Sequence, residues 1–316
     1  MNLPSPTNLD IAGKRVLLRL DLDTNPDPND LRVKAAKETL DFLKGQKASQ
    51  IIIIAHKGRP NGKVDENLSL KPFELLFQDC QIKENLRFDP REETNDEDFA
   101  REIASWGDLY INDAFASSHR NHASIVGVPK FLPHAAGFHF NHEVENLSKV
   151  FEPERPLVFL ISGIKEDKLQ YIEEFEKFAD KVLVGGRLPD LLGDRGLESV
   201  RSQNGKVIVG NLIMDKEDIT IHTIERFEEE VGKAAMVVVS GPLGRYEDEG
   251  HRQGTERVFE AVVTSNAFKI AGGGDTEAAL SLLNLQNKFD WLSVGGGAML
   301  EFLSKKTLPG IEALLK

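Results

Sequence analysis

The sequence predicts an α/β protein built from two parallel-sheet domains. Short apolar segments alternate with stretches of helical periodicity along both halves of the chain. The run Ile51–Ile54 is apolar at consecutive positions, which is typical of a strand buried on both faces of a parallel sheet. A length of 316 residues is also long for a single hydrophobic core. We therefore expect two doubly wound, Rossmann-like domains.

Three strands and one helix are predicted in the first half. Lys14–Leu20 is short and rich in apolar residues, and Asp108–Phe115 has the pattern of a strand that ends in polar residues. The third predicted strand is the run Ile51–Ile54, which lies between these two segments in the sequence. The predicted helix ends before Gly45, because four apolar residues ahead of it are spaced as on one face of a helix: Val33, Ala36, Leu40 and Leu43.

A domain boundary is predicted at Pro153 and Pro156, where a helical pattern ends and a new strand, Leu157–Ser162, begins. We assign residues 1–150 to the first domain and 151–304 to the second. Five later segments are also apolar and end in small residues: "ADKVLVGG", "GKVIVGN", "AAMVVVSGP", "AFKIAGGGD" and "FDWLSVGGG". Right-handed crossovers place the loops after parallel strands along one edge of each sheet, so ligand-binding residues should directly follow strands.

The composition excludes several classes of function. The formal net charge of −12 argues against binding of nucleic acid through a broad basic surface. No segment is long and apolar enough to span a bilayer, and the N-terminal residues lack the pattern of a signal peptide. Cys80 is the single cysteine, so no intramolecular disulfide can form. We expect a cytoplasmic protein that binds neither nucleic acid nor a membrane.

A glycine-rich loop, Gly272–Thr276, follows a predicted strand and precedes a helix. Gly273 and Gly274 allow backbone N–H groups to approach a phosphate, and the helix start adds positive dipole character. Asp275 is placed to hold a metal ion, and Thr276 to cap the helix or donate a hydrogen bond. Magnesium with the phosphates of a nucleotide would satisfy these residues together. A tight turn with an N-cap is the alternative.

Further loops of the second half support the nucleotide interpretation. "SVGGGAMLEFL" repeats the order of strand, glycines and helix, with Gly295 and Gly296 in its loop. Neither of the two glycine triplets, Gly272–Gly274 and Gly295–Gly297, is a P-loop. The GxGxxG fingerprint of a nicotinamide dehydrogenase is also missing. Lys165 and Lys168 follow another strand in "LISGIKEDK". A solvated helix start is the alternative for this pair, because charged side chains are mostly exposed.

In the first half, cationic side chains collect in loops that follow strands. Arg19 lies beside Asp21 and Asp23, the later loops contribute His56, Arg59, Arg87 and Arg120, and Arg32 occupies the first turn of a helix. Several guanidinium groups in an acidic protein indicate a small, highly anionic substrate held by bidentate hydrogen bonds. Exposed surface arginines are the alternative.

The histidines of these loops allow more than one interpretation. His56 could be a general base, but a histidine after a buried strand is more often a structural hydrogen-bonding residue. His119 and His122 have no clear third ligand for zinc.

Nine motifs, in this order along the chain, resemble those of the phosphoglycerate kinases. They are "RLDLD", "AHKGRP", "ENLRF", "NDAFASSHRNHAS", "AAGF", "SGIKEDK", "SGPLGRYE", "GGGDT" and "VGGGAMLE". They extend from Arg19 to Glu301, which is nearly the whole chain.

The resemblance implies two domains that face each other across a hinged cleft. The first would hold the phosphoglycerate through Asp21, Asp23, His56, Arg59, Arg87 and Arg120, with Arg32 at the transferring group. The second would hold ATP or ADP through Lys168, Glu247, Gly273, Gly274, Asp275, Thr276, Gly295 and Gly296, with Lys165 close to the moving phosphoryl group. Asp275 would bind Mg²⁺, and residues 305–316 are expected to return to the first domain.

The sequence departs from the family pattern at several positions. Asp23 stands where the family has asparagine, Ser240 replaces another asparagine, Arg187 follows two glycines where a third is usual, and the lysine loop is one residue shorter. The stretches between Leu70 and Glu84 and between Leu192 and Ala235 are also short for the family, so an element should be missing from each domain.

The activity implied is that of phosphoglycerate kinase, a glycolytic enzyme. It transfers a phosphoryl group reversibly between 1,3-bisphosphoglycerate and ADP, giving 3-phosphoglycerate and ATP. We expect a monomer that acts on these small molecules. The alternative is a shortened relative that binds the nucleotide or the phosphoglycerate with impaired catalysis.

Overall fold

The structure is a computed structural model that describes residues 1–193 and 205–316. Its contacts divide the chain into two compact units. The first unit contains Met1–Asn146 together with Lys305–Lys316, and the second contains Leu147–Ser304. The assignment of a ligand to each domain stays a prediction.

The first unit has a parallel sheet of five strands. These are β1 (Arg15–Arg19), β2 (Gln50–Ile54), β3 (Gln81–Ile82), β4 (Leu109–Asn112) and β5 (His134–Ala136). Their order in the sheet is β3-β2-β1-β4-β5. The three predicted strands are therefore confirmed. The sequence did not predict β3 and β5, because two or three residues are too few to show an apolar pattern.

Helices cover the sheet of the first unit. They are Leu31–Ala35, Lys37–Gly45, Glu97–Ala104 and Pro309–Leu314, with short turns of 3-10 or π type at Pro6–Asn8, Glu66–Leu68, Lys71–Leu75, Leu86–Phe88, Phe115–Ser117, Ala123–Gly127 and Val128–Lys130. The predicted helix before Gly45 is thus two helices that meet at Ala36. Between β2 and β3 the described chain has turns and no α-helix, where a parallel connection usually contains one.

In the described residues of the second unit, six strands form a parallel sheet. These are β6 (Leu157–Ile161), β7 (Lys181–Val184), β8 (Val207–Val209), β9 (Met236–Ser240), β10 (Phe268–Gly272) and β11 (Trp291–Ser293), in the order β11-β10-β9-β6-β7-β8. Every strand that the sequence predicts in this half is confirmed. The sheet is buried on both faces, and Leu160 and Val239 belong to the core of one face while Phe159 stacks on Phe175 at the other.

The helices of the second unit follow its strands. They are Gln170–Glu176, the described residues 188–193, Ile221–Gly232, Gln253–Thr264, Gly274–Leu282 and Gly296–Lys305, with 3-10 turns at Lys149–Phe151, Glu166–Lys168, Glu249–His251 and Gln286–Lys288. The helix Phe138–Ser148 contains the point at which the chain passes from the first unit to the second. Residues 194–204 lie outside the described residues, and part of the predicted shortening between Leu192 and Ala235 falls on them. No helix in the described ranges is both long and apolar enough to cross a bilayer.

Each sheet has one point at which the strand order reverses. In the first unit it lies between β1 and β4, and in the second between β6 and β9. The chain leaves the two adjacent strands toward opposite sides, so their loops diverge and leave a crevice at the carboxyl ends of the strands. Most of the predicted site residues follow these strands or the strands beside them, while Arg87 follows β3 and Gly295 and Gly296 follow β11.

Candidate active site

Asp21 joins the two loops at the reversal point of the first sheet. It follows β1, and its Oδ2 accepts a hydrogen bond from the N–H of Ala116, after β4, at 2.7 Å. Its Oδ1 accepts from the hydroxyl of Ser117. Asp21 is buried, so these contacts satisfy a carboxylate that would otherwise be costly to remove from water.

Asp23 connects three segments of the first unit. Its Oδ1 accepts a hydrogen bond from the N–H of Gly58, in the loop after β2, at 2.7 Å. Its carbonyl oxygen accepts from the guanidinium of Arg32. Asp30 caps the helix Leu31–Ala35 and accepts from the N–H of Arg32 at 2.8 Å. The Arg32 side chain is therefore directed back toward the loop after β1.

Arg87 is buried with open hydrogen-bonding capacity. Its Nη1 donates to the carbonyl oxygen of Gly58 at 2.7 Å, and its Nε lies 3.2 Å from Oε1 of Glu93. Its Nη2 is buried and has no hydrogen-bond partner among the described residues. Burial lowers the pKa of Arg87; Glu93 opposes this effect, and Arg120 adds to it. A buried donor without a partner is rare in proteins and favours an anionic ligand here.

Arg59 and Arg120 add two further guanidinium groups. Arg59 is exposed after β2, and Arg120 is half-buried after β4. Within the described ranges neither side chain forms a hydrogen bond or an ion pair. Their donors are therefore available for further hydrogen bonds, and their role in binding an anion stays a prediction.

His56, in the loop after β2, is almost fully buried. Its Nδ1 is 2.7 Å from Nη2 of Arg19. Burial holds the pKa of His56 well below its usual value, and Arg19, Arg87 and Arg120 act in the same direction. The sequence singled out Arg19 but gave it no role. The histidine metal site receives no support, because no group of three or more His, Cys, Asp or Glu side chains in the described ranges could hold a metal.

Lys168 spans the reversal point of the second sheet. Its Nζ donates to the carbonyl oxygens of Ser162, after β6, at 2.7 Å and of Ser240, at the end of β9, at 3.1 Å. Burial lowers its pKa to about 8; Asp275 opposes this effect, and Lys165 adds to it. Lys168 is thus an ammonium group that releases its proton more readily than an ordinary lysine does.

The glycine loop after β10 is fixed by Thr276. Its Oγ1 accepts from the N–H of Gly241 at 2.8 Å and donates to the carbonyl oxygen of Gly272 at 2.9 Å. Asp275 lies next to it in the first turn of the helix Gly274–Leu282, exposed, with its Oδ2 3.8 Å from Nζ of Lys165. The loop places a carboxylate and a helix N-terminus side by side.

The two glycine triplets are in contact with each other. A Cβ on Gly296 would lie 2.5 Å from the Cα of Gly273, which has a φ of +106°. A side chain at Gly296 would therefore force the two loops apart, whereas one at Gly273 would be strained by its positive φ. A Cβ on Gly274 would meet no atom of residues 1–193 or 205–316 within 4 Å, so this part of the chain leaves the space over the loop open.

A pocket of about 600 Å³ opens beside these loops. Its walls include Gly163, Gly186, Arg187, Glu217, Leu243, Tyr246, Glu247 and Asp275. Arg187 donates to Asp190 at 3.1 Å and lies 3.8 Å from Glu217. Glu247 is exposed at this pocket, next to Tyr246, whose pKa is raised to about 12 by burial and by Glu247. The volume is in the range of small-molecule sites.

The contact between the triplets gives a testable difference between two neighbouring glycines. Gly296→Ala should lower the free energy of unfolding by about 1–3 kcal/mol, because its Cβ meets the Gly273 backbone. Gly297→Ala should leave it unchanged or raise it by up to about 1 kcal/mol, since the site is open and alanine favours a helix. Urea denaturation of both variants measures this. Equal stabilities would contradict the packing described.

The environment of Lys168 makes stability depend on pH. Its pKa is about 8 in the folded chain and 10.5 for an ordinary lysine, so the unfolded chain binds the proton more strongly between these values. The contribution of Lys168 to the free energy of unfolding of the native protein should therefore rise with pH over that interval. The unfolding free energy of Lys168→Met relative to the native protein should fall as the pH increases from about 8 to about 10.5. Denaturation at several pH values measures it, with Lys165→Met as the exposed control; a difference that is constant with pH would contradict the prediction.

Comparison with known proteins identifies the family. The family model described as phosphoglycerate kinase matches residues 7–79, 77–193 and 197–306. The phosphoglycerate kinase of Thermomicrobium roseum is 34% identical over 98% of each chain, and that of Pelotomaculum thermopropionicum is 33% identical over 98% of each. The first of these alignments has 386 positions, so the relative carries segments that the present chain lacks.

Solved structures agree with this result. The structure of phosphoglycerate kinase from Coxiella burnetii is 28% identical and superposes with a TM-score of 0.84 over 99% of each chain. The structure of phosphoglycerate kinase from Pyrococcus horikoshii, 24% identical, has the same fold with a TM-score of 0.84 over 99% of this chain and 98% of that one. The chain belongs to the phosphoglycerate kinase family.

Proposed function

We propose that the chain catalyses the reversible transfer of a phosphoryl group between 1,3-bisphosphoglycerate and ADP, giving 3-phosphoglycerate and ATP. This makes it a phosphotransferase with a carboxyl group as acceptor, as in glycolysis. The observation that carries the proposal is that Arg59, Arg87 and Arg120 all have open donors in the loops of one unit. Family membership supports the same reaction.

The phosphorylated acid would bind to the loops of the first unit. Arg59, Arg87 and Arg120 would bind its phosphate, because planar guanidinium groups match the geometry of phosphate oxygens. His56 would add a further hydrogen bond. Asp21 and Asp23 each keep acceptor capacity beyond the bonds they already form, so they would accept from the glycerate hydroxyl.

The nucleotide would bind in the second unit, at the pocket beside the glycine loops. Backbone N–H groups of Gly273, Gly274, Gly295 and Gly296 would approach its phosphates, as glycine loops at helix N-termini do in other proteins. Thr276 would fix the loop, and Lys168 would lie at the phosphates. Glu247, exposed at the pocket, would bind the ribose.

Asp275 is the residue that would bind Mg²⁺. Its carboxylate is exposed at a helix start, and a single carboxylate is sufficient for a magnesium ion that also binds substrate phosphates. Bound with the nucleotide, the ion would neutralise charge on the transferring group. Nζ of Lys165 lies 3.8 Å from Oδ2 of Asp275, so this lysine would be close to a metal ion bound there.

In the direction of ATP use, a carboxylate oxygen of 3-phosphoglycerate would attack the terminal phosphorus in line. The bond from that phosphorus to the bridging oxygen breaks, and ADP leaves with the electron pair. The nucleophile is already ionised, so no general base is needed. Arg32, Lys165 and Lys168 would stabilise the charge of the transferring phosphoryl group.

The monomeric state and the cytoplasmic location stay predictions.

A coupled assay tests the activity. The protein is mixed with 3-phosphoglycerate, Mg²⁺ and ATP, and the 1,3-bisphosphoglycerate formed is measured by its reduction. Turnover supports the proposal. Absence of turnover with intact binding of ADP would contradict it and favour a binding module.

Arg32→Ala should lower turnover by about three to five orders of magnitude, because a guanidinium at the transferring group stabilises the transition state. The matched control is Lys34→Ala, which removes an exposed cation from the same helix and should leave turnover within about twofold. The same coupled assay measures both. Similar rates for the two variants would exclude a catalytic role for Arg32.

Asp23→Asn should lower the KM for 3-phosphoglycerate by about threefold to tenfold. The asparagine oxygen can still accept from Gly58 and from the glycerate hydroxyl, while the negative charge that faces Arg87 and an anionic substrate is removed. The KM for ATP should not change. An unchanged KM for the acid would show that Asp23 does not repel the substrate.

A further inference from the structure

Under the arginine loops of the first unit lies a buried series of side chains: Glu92, Ser124, Arg19 and His56. Glu92 and Arg19 are both 0% exposed. A buried carboxylate and a buried guanidinium are unfavourable unless their hydrogen-bonding groups are satisfied, so each contact restricts the geometry of the next residue.

Ser124 joins the two buried charges. Its Oγ donates to Oε1 of Glu92 at 2.6 Å, and its N–H donates to Oε2 at 2.9 Å. Burial acts to raise the pKa of Glu92, but His122, Arg19 and Ser124 together outweigh it and the pKa is lowered. The ionised carboxylate can only accept, so the hydroxyl hydrogen points to Glu92 and the oxygen lone pair accepts from Nε of Arg19, at 3.0 Å.

Arg19 is thereby fixed against His56. Its Nη1 donates to the carbonyl oxygen of Leu20, and its Nη2 lies 2.7 Å from Nδ1 of His56. A guanidinium has only donors and stays charged in proteins, so Nδ1 must be the acceptor. A neutral imidazole that accepts at Nδ1 carries its hydrogen at Nε2.

The second ring nitrogen of His56 is available to a ligand. Nε2 forms no hydrogen bond with a described residue, and it is not among the buried polar atoms that lack a partner, so it is reached by solvent. The charged and titratable groups that face His56 are Arg19 at the end of β1, Arg87 after β3, and Arg120 and His122 after β4. None of them is a carboxylate that would favour the imidazolium.

We propose that Arg19 is a positioning residue that holds His56 as the neutral tautomer with its hydrogen on Nε2. In this state His56 donates a hydrogen bond to the phosphorylated acid and cannot act as a general base, because its lone pair is occupied by Arg19. This inference rests on the proposed function, in which the acid binds to these loops. It replaces the general-base interpretation of His56.

The tautomer can be measured on the native protein without any nucleotide. Nitrogen-15 NMR of the imidazole rings, with the His56 signals identified by their absence in His56→Gln, should show an unprotonated Nδ1 and a protonated Nε2 from about pH 5 to about pH 8. The strongly exposed His222 serves as the reference within the same spectrum. A hydrogen on Nδ1, or titration of His56 within this interval, would overturn the proposal.

Two substitutions of His56 separate donation from contact with Arg19. Glutamine places an amide nitrogen near the position of Nε2, while asparagine reaches only as far as Nδ1 and keeps an acceptor for Arg19. His56→Asn should therefore have a KM for 3-phosphoglycerate at least about tenfold above that of His56→Gln, the loss expected for a hydrogen bond to a charged group. A large loss of kcat in both variants with unchanged KM would indicate a general base instead.

Arg19→Lys tests the positioning role. It keeps the positive charge but lacks the planar group that holds Ser124 and His56 at once. We expect His56 to titrate or to show both tautomers, and the KM for 3-phosphoglycerate to rise while that for ATP stays within about twofold. A native spectrum for His56 in a folded Arg19→Lys variant would overturn the proposal. Absence of kinase activity in the native protein would contradict the proposed function alone, because the spectra are recorded without turnover.

Discussion

The candidate site residues of both units depend on one constraint of doubly wound sheets, the divergence of loops where the strand order reverses. In the first unit Asp21 spans this point and accepts from backbone and hydroxyl donors after β4. In the second unit Lys168 spans it and donates to carbonyl oxygens after β6 and at the end of β9. In the first unit the donors at the strand ends are thus paired with a negatively charged carboxylate. In the second unit the carbonyl oxygens at the strand ends are paired with a positively charged ammonium group.

The two units provide positive potential by different physical means. The first relies on guanidinium groups. Several of them can lie close together because the buried carboxylate of Glu92, linked to Arg19 through the hydroxyl of Ser124, offsets part of their positive charge. The second relies on backbone N–H groups at helix starts, where Gly296 packs against the Gly273 backbone and Gly273 has a positive φ, so both positions favour glycine. A chain with a formal net charge of −12 can therefore contain local anion sites without a basic surface.

Much of the fold follows from the sequence because a buried parallel strand needs a continuous apolar run, and runs such as Ile51–Ile54 are unambiguous. The short strands β3 and β5 could not be predicted, since backbone pairing with β2 and β4 defines them. The motifs indicated which residues lie in ligand loops. They could not show that Arg87 is buried with an open donor or that Arg19 orients His56, because both facts depend on neighbours distant in the sequence.

The departures from the family pattern occur where the backbone does not require a particular side chain. Residue 187 contributes its N–H to the carbonyl oxygen of Gly163 and has no positive φ, so arginine is compatible there, whereas Gly186 has a φ of +58° and packs against Gly163. Ser240 serves Lys168 through its carbonyl oxygen, which any residue provides. Asp23 keeps the oxygen that accepts from Gly58, as an asparagine would. At these three positions the substitution therefore preserves the hydrogen bonds that shape the loops and alters charge and size alone, so its effect should fall on ligand affinity and not on folding.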